Sequence, residues 1–245
     1  MRHLNLANCF LTEAEITLHR MRTFHRERVE TIQKDESHVR LSDAYRLVLH
    51  LLPVDIAVAP KVFSAGDLKK ASQTIPRFDD RNGYGYRTAR PNVDGFLLSD
   101  GRDAVQCYAQ LYRNGVLEGV MARAVYQNTK GGNLIFLQDL CEDAIIKALA
   151  GYLPFAKALA LAPPFRMFVA LLGCEGAKIC IDRTFNDLSE HAIDRNLVWL
   201  PEIKIESFDI DPTKHLRPLC DILWNTVGFD KSFNFDEEGN RKVRR

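Results

Sequence analysis

The chain has 245 residues, of which 33 are Lys or Arg and 32 are Asp or Glu. A net charge of +1 excludes the strongly basic class of nucleic-acid-binding domains and the acidic, disordered class of tails. Hydrophobic residues make up 46% of the chain and the mean hydropathy is −0.19, as is usual for globular proteins.

An amphipathic helix is predicted at about 13–34. Thr12 and Glu15 have the spacing of a capping box, which marks a helix start. One narrow arc of this helix contains Ala14, Leu18, Met21, His25, Val29 and Ile32. His25 lies on this apolar stripe, and we interpret it as a half-buried structural histidine.

Several strands are expected after the helix. Residues 45–53 alternate between polar and apolar and end at a proline, which predicts a strand with His50 in a structural position. From 60 to 93 the periodicity is lost and Gly and Pro accumulate, which indicates a long irregular loop. Asn114-Gly115 is a strong hairpin signal. The next expected strands lie at about 95–99, 105–112, 116–125 and 133–138.

The second half of the chain predicts two helices and two or more strands. Asp139 is expected to cap a helix that Pro154 kinks or divides. Residues 165–174 and 177–181 predict a second hairpin, and residues 198–208 predict a last strand. The final helix is signalled by Asp211 as N-cap, Pro212 as first residue and Gly228 after the end.

This order of elements predicts an α+β fold, in which helices cover a mainly antiparallel sheet and an amphipathic helix precedes it. We divide the chain into an N-terminal helical segment at 1–40, an α+β domain at 41–228 and a polar, mobile tail at 229–245.

The sequence favours a cytoplasmic protein without a cofactor or metal. Asp55, Lys157 and Arg166 interrupt the most apolar stretches, so no run reaches the roughly 18 residues that span a membrane. The six cysteines include no C-x-x-C pair, which indicates reduced, mostly buried thiols. Walker A, dinucleotide-binding and zinc-protease motifs are absent from the sequence.

One candidate catalytic group lies between two predicted strands and consists of Asp187, Glu190, His191 and Asp194. If this segment were helical, Asp187, His191 and Asp194 would share one face, where two carboxylates could orient the imidazole for acid–base chemistry. The alternative is a solvated connection whose acidic residues cap turns, and the sequence favours this alternative.

One candidate nucleic-acid-binding group lies in the long loop and consists of Arg77, Arg81, Tyr84, Tyr86, Arg87 and Arg90. Arginine binds phosphates and tyrosine stacks on bases, so the alternation of the two suits a nucleic acid. Tyrosine and arginine are also enriched at protein interfaces, and a solvated or protein-contacting loop is the favoured interpretation.

Several segments resemble the C-terminal half of bacterial ATP-binding or DNA-binding proteins that have a Schlafen-like AlbA domain. The segments, in chain order, are Phe24-His-Arg-Glu-Arg-Val, Leu47-Val-Leu-His-Leu-Leu-Pro, Asn92-Val-Asp-Gly-Phe-Leu, Gln110-Leu-Tyr-Arg-Asn-Gly-Val-Leu-Glu, Pro163-Pro-Phe-Arg-Met-Phe-Val-Ala-Leu-Leu-Gly, Ile193-Asp-Arg, Leu200-Pro-Glu, Leu216-Arg-Pro-Leu-Cys-Asp-Ile-Leu-Trp-Asn and Asn234-Phe-Asp-Glu-Glu-Gly-Asn. The resemblance spans about residues 13–240 and does not include the Schlafen-like domain. It implies a bacterial nucleic-acid or defence context and assigns no catalytic residue.

Together these observations favour a non-enzymatic accessory or recognition module that acts with a partner protein or with a second copy of itself. The first alternative is a nucleic-acid-binding protein that uses the Arg/Tyr loop at 77–90. The second alternative is an enzyme with an acid–base site near His191.

Overall fold

The computed structural model describes residues 12–57, 61–78, 85–127, 132–182 and 187–242. These residues form four α-helices and twelve strands, which confirms the predicted α+β class. The helices are α1 (Glu13–Gln33), α2 (Ala65–Ala71), α3 (Gln138–Ala158) and α4 (Pro212–Asn225). The strands are β1 (Arg46–Pro53), β2 (Thr88–Pro91), β3 (Gly95–Ser99), β4 (Cys107–Tyr112), β5 (Leu117–Met121), β6 (Val125–Gln127), β7 (Leu134–Phe136), β8 (Phe165–Leu172), β9 (Lys178–Asp182), β10 (Asp187–Leu188), β11 (Leu197–Trp199) and β12 (Ile203–Ile205).

Eight of the described strands form the main sheet, and all of its pairings are antiparallel. The order is β11, β8, β1, β5, β4, β3 and β2, and β12 also pairs with β8. The central strands β1, β3 and β5 are buried along their whole length. A strand covered on both faces needs apolar residues at odd and even positions alike, which explains why these strands read as nearly continuous apolar runs.

Helices cover both faces of the main sheet. Leu47, Leu49 and Leu51 of β1 share the large core that includes the buried residues of α3 and α4. Val48, between them in the strand, faces the other way and packs against Val29 and Ile32 of α1. Successive strand residues point to opposite faces, so β1 contributes to two separate cores.

The N-terminal helix begins as predicted. Thr12 accepts a hydrogen bond from the Glu15 amide at 3.3 Å, and its own amide donates to the Glu15 carboxylate at 2.7 Å, which completes the capping box. The apolar stripe of α1 packs on the sheet of the same chain, with Met21, His25 and Val29 buried. The helix is therefore part of the α+β fold and its stripe is already covered.

The predicted hairpin of residues 165–181 is wrong. A tight turn does form, because the Ala177 amide donates to the Cys174 carbonyl at 3.1 Å. However, β8 pairs with β1, β11 and β12, whereas β9 lies in a second, four-stranded sheet with the order β10, β9, β7, β6. The eight residues of β8 are almost fully buried and pair with β1 over its entire length, so long-range burial outweighs the local turn signal.

Three other expectations differ from the structure. The segment 60–93, predicted to be irregular, contains α2 and β2, and α2 starts at its own capping box of Ser64 and Asp67. The N-cap of α3 is Leu137, not Asp139. Pro154 does not divide α3. Proline inside a helix costs about 3 kcal/mol, and burial of neighbouring side chains such as Tyr152 and Phe155, each contributing about 1.5–3 kcal/mol, offsets that cost.

The described part of the C-terminal tail, residues 229–242, packs against α3, and the mobility expected of the tail stays a prediction. Arg241 forms ion pairs with Glu142 and Asp143 of α3. Glu142 also accepts hydrogen bonds from Trp224 at 2.9 Å and from Ser232 at 2.6 Å. Burial raises the pKa of Glu142 despite these donors. Among the described helices, none has the length and apolar character needed to cross a membrane.

We expect Gly151→Ala in α3 to destabilise the protein, although alanine normally favours a helix over glycine by about 1 kcal/mol. A Cβ at this position would lie 2.3 Å from Pro76 Cδ and 2.5 Å from the Thr74 carbonyl oxygen. Overpacking of this kind costs about 1–3 kcal/mol. Urea unfolding of G151A should show this loss, with the exposed Ala150→Gly as the control for helix propensity. A gain in stability for G151A would contradict the close packing of α3 on residues 74–76.

Candidate functional site

A carboxylate lies in the middle of the main sheet, on the face that α1 covers. Glu118 of β5 is 0% exposed and stands directly opposite His50 of β1 and Gln110 of β4. Tyr108 and Tyr112 flank Gln110 in β4 and point to the same face, because residues two apart in a strand share a face. The antiparallel register therefore gathers these polar side chains beneath α1.

Glu118 accepts five hydrogen bonds. Arg28 of α1 donates two, from Nε at 2.7 Å and from Nη2 at 3.0 Å. The other donors are Tyr108 Oη at 2.8 Å, His50 Nε2 at 3.0 Å and Tyr112 Oη at 3.2 Å. An ionised carboxylate has about four lone-pair positions, so Glu118 is fully satisfied although it is buried.

The environment keeps Glu118 ionised. Burial alone would raise the pKa of Glu118, but hydrogen bonds from His50 and Arg28 outweigh burial and hold that pKa far below its usual range. Burial and the charge of Glu118 raise the pKa values of Tyr108 and Tyr112, so both phenols keep their protons and donate them. Burial disfavours the charge on Arg28, but its bond to Glu118 raises its pKa overall. Glu118 and Arg28 therefore form an ion pair that is largely buried.

Two more histidines extend the cluster. The Nδ1 atoms of His25 and His50 are 2.7 Å apart, which is a hydrogen bond between the two rings. His38 Nε2 lies 3.1 Å from Tyr112 Oη. Burial, and the positive charge that His50 would carry if protonated, lower the pKa of His25 to about 2. Burial also lowers the pKa of His38. We call the set Glu118, Arg28, His50, His25, Tyr108, Tyr112 and His38 the Glu118 cluster.

The cluster reaches solvent at a pocket beside α1. This α1 pocket has a volume of about 220 Å³ and is lined by Arg22, His25, Arg26, Phe168, Trp199, Leu200 and Glu202. Trp199 is 44% exposed, and its ring centroid lies 5.3 Å from that of His25. Phe168 stacks on the ring of His25, with a centroid separation of 5.3 Å. Two aromatic residues, Phe168 and Trp199, thus line the pocket beside His25, which is the last residue of the buried hydrogen-bond chain from Glu118.

Positive charge predominates at the α1 pocket. Arg22 donates to Glu202 at 2.8 Å, and Arg166 donates to the same carboxylate at 3.1 Å. Arg26 is exposed and makes no ion pair within the described residues. The residues that line the pocket therefore include two guanidinium groups, those of Arg22 and Arg26, and one carboxylate, that of Glu202, which leaves one net positive charge.

The structure does not bring the predicted catalytic residues together. Asp187 is exposed in β10, and residues 189–196 are irregular, so the helical arrangement that would align this group is not formed. Asp194 pairs with its neighbour Arg195 at 2.7 Å. Glu190 is exposed, and its carbonyl accepts a hydrogen bond from Lys178. His191 is exposed and lies against Gly228. Within the described ranges, no group of three or more His, Cys, Asp or Glu side chains could hold a metal ion.

The predicted nucleic-acid-binding residues are spread over different environments. Arg81 and Tyr84 lie outside the described residues. Arg77 pairs with Asp100 at 3.3 Å, and Tyr86 packs edge-on against Phe78. Arg87 and Arg90 are exposed at the edge of the main sheet. A role in nucleic-acid binding stays a prediction, and Arg87 and Arg90 are the exposed arginines among the described members of this group.

Sequence reasoning treated His25 and His50 as isolated structural residues and did not consider Glu118. A signal was present, because His50 and Glu118 each interrupt an apolar strand. A charged or polar residue in a strand that is buried on both faces needs a partner on the same face. What could not be read from the sequence was the register, which places His50 opposite Glu118.

Comparison with known proteins found no matching family model, no matching curated protein and no matching solved structure. The resemblance to the Schlafen-like AlbA proteins therefore stays a prediction from the sequence.

We expect Glu118→Gln and Arg28→Met each to destabilise the fold by about 3–5 kcal/mol, because each leaves an unpaired charge in the interior. The charge-balanced double variant R28M/E118Q should cost clearly less than the sum of the two single changes. Urea unfolding measures all three. Arg22→Met, which breaks only a partly exposed ion pair, serves as the control and should cost about 1 kcal/mol or less. Additive effects of the two single changes would contradict a buried, coupled pair.

We expect stability to fall between about pH 7 and pH 5 because of His25. The unfolded chain binds a proton at His25 near the usual pKa of about 6.5, but the folded chain does not bind it until about pH 2. The unfolded state therefore holds more protons in this window, and His25 should cost about 2 kcal/mol over it. The range from pH 7 to pH 5 lies above the pH at which Glu118 binds a proton, so Glu118 does not contribute to this loss of stability.

His25→Gln should flatten the pH dependence of the unfolding free energy, measured by urea denaturation at several pH values. The control is His19→Gln, an exposed position on the same helix. If the unfolding free energies of H25Q and H19Q depend on pH with the same slope, His25 is not held neutral by the fold.

Proposed function

We propose that the chain is a recognition module whose α1 pocket binds a negatively charged group of a partner protein. The proposal rests on the observation that Arg26, Trp199 and His25 line the same pocket. Arginine and tryptophan are among the residues that contribute most to binding at protein interfaces. The bacterial nucleic-acid or defence setting is a further part of the proposal and rests on the resemblance alone.

Charge complementarity supports a negatively charged ligand. Arg22 and Arg166 share the single carboxylate of Glu202, at 2.8 Å and 3.1 Å. Arg26 has its donors available for a ligand, and a guanidinium binds a carboxylate or phosphate through paired hydrogen bonds. An anion would therefore be attracted by the excess positive charge and would accept hydrogen bonds from Arg26.

The size of the α1 pocket supports an end group and not a whole cofactor. Sites for drug-sized ligands usually have about 300–1,000 Å³, whereas this pocket has about 220 Å³. One ring or one side chain fits such a space. The remainder of the partner would then lie on the surrounding surface of α1 and β11, where Trp199 is exposed.

The basicity of His25 supports binding over catalysis. A general base works best when its pKa lies near the working pH. Burial is the main cause that lowers the pKa of His25 to about 2, so this imidazole is uncharged and weakly basic at neutral pH. A weakly basic, fixed imidazole accepts a hydrogen bond but abstracts a proton poorly.

Titration with benzoate, a planar anion of suitable size, tests the proposal. The indole N–H signal of Trp199 should shift in a ¹H–¹⁵N spectrum, with a dissociation constant of about millimolar as expected for a small fragment. The other tryptophan, Trp224, is buried against Glu142 and should not respond. Arg26→Gln should weaken binding about fivefold, which corresponds to about 1 kcal/mol.

Arg20→Gln is the matched control, because Arg20 is exposed on the same helix and does not line the pocket. It removes the same charge from the protein and should leave the affinity for benzoate unchanged. Absence of any shift at Trp199, or equal weakening by R20Q and R26Q, would overturn the proposal that this pocket binds anions.

A further inference from the structure

We infer that Glu118, acting through His50, fixes His25 as a hydrogen-bond acceptor, so that the α1 pocket selects a planar anion that carries an N–H or O–H donor. This inference rests on the proposed function and adds the chemistry of the bound group. Glu118 is a positioning residue in this scheme, since it does not line the pocket.

The first step is the bond between Glu118 and His50. The carboxylate is fully buried and already accepts two hydrogen bonds from Arg28, so it has no proton to donate. The bond of 3.0 Å to His50 Nε2 therefore needs its proton on the histidine. Protonating His50 on both nitrogens would add a second positive charge beside Arg28 with no second anion, at a site that is 0% exposed. His50 is thus neutral, with its proton on Nε2.

The second step is the bond between the two histidines. Because the proton of neutral His50 is on Nε2, its Nδ1 has only a lone pair. The Nδ1 atoms of His25 and His50 are 2.7 Å apart, so one of them must donate. The donor is therefore Nδ1 of His25. Neutral His25 is left with a bare Nε2, which can only accept a hydrogen bond.

The third step is the chemistry of the pocket wall. His25 is 5% exposed and lines the α1 pocket, and no described protein group donates to its Nε2. Trp199 and Phe168 flank its ring, each with a centroid separation of 5.3 Å. A flat group suits these aromatic walls.

The ligand must therefore satisfy two opposite demands in one small space. Arg26 favours a negatively charged group, and the lone pair of His25 favours an N–H or O–H donor. A simple anion such as sulfate, which has no proton to donate, meets only the first demand and would bring its oxygens towards the lone pair of His25. A ring with a donor on one edge and an anionic group on the other meets both.

Three benzoates that differ at one position test this selection. Benzoate supplies the ring and the charge, 4-hydroxybenzoate adds a donor, and 4-methoxybenzoate adds the same oxygen without its proton. We expect 4-hydroxybenzoate to bind at least about fivefold more tightly than 4-methoxybenzoate, as one hydrogen bond to a fixed acceptor provides. In His25→Phe the two should bind about equally, and Arg20→Gln should keep the selectivity of the unaltered chain.

The tautomers themselves are measured without any ligand, by long-range ¹H–¹⁵N spectra of the histidine rings at about pH 7.5. The expected result is a proton on Nε2 of His50 and on Nδ1 of His25. In the charge-balanced variant R28M/E118Q the amide can either donate or accept, so His25 should lose its single tautomer and the selectivity between the two ligands should fall. If that variant does not fold, the spectra of the unaltered chain still decide the question.

The outcomes separate the two proposals. If benzoate and both derivatives fail to bind, the proposed function is overturned together with the ligand class. If all three bind with similar affinity, or if His25 carries its proton on Nε2, the selection of a donor is overturned and anion recognition stands. A folded R28M/E118Q that keeps both the His25 tautomer and the selectivity would overturn the role of Glu118.

Discussion

The carboxylate of Glu118 carries a negative charge in the middle of a sheet that helices cover on both faces. Such a charge is tolerated only when it is paired and its lone pairs are satisfied. Here Arg28 supplies the opposite charge, and His50, Tyr108 and Tyr112 supply the remaining hydrogen bonds. Each donor comes from α1 or from β1 or β4, the two neighbours of β5, so these bonds require one rotation of α1 and one register among the three strands.

The same constraint positions the α1 pocket. Arg28 and His25 are three residues apart and so lie on the same side of α1. Fixing Arg28 on Glu118 therefore places His25 against His50, and the adjacent Arg26 and the preceding Arg22 at the pocket rim. A buried ion pair is often no more stabilising than apolar residues of similar size. The role that we propose for the cluster is therefore the placement of a neutral imidazole in the α1 pocket.

Much of the fold could be predicted from the sequence, because it follows from local patterns. The capping box at Thr12, the hairpin turn at Asn114-Gly115 and the cap of α4 at Asp211 all form as expected. The hairpin prediction at 165–181 failed because it depends on pairing between distant segments: β8 pairs with β1 and not with β9, the next strand in the chain. The Glu118 cluster could not be predicted for the same reason, since Glu118 and His50 are 68 residues apart and meet only through the register of β1 and β5.

The ¹³C chemical shift of the Glu118 side-chain carboxyl reports directly whether this group is ionised. The signal is assigned by its loss in the charge-balanced variant R28M/E118Q and followed from about pH 7 downwards. We expect the chemical shift of an ionised carboxylate, which stays constant to well below the usual glutamate pKa of about 4.3, until the protein unfolds. A carboxyl that is protonated at neutral pH, or that titrates near the usual value, would contradict this expectation.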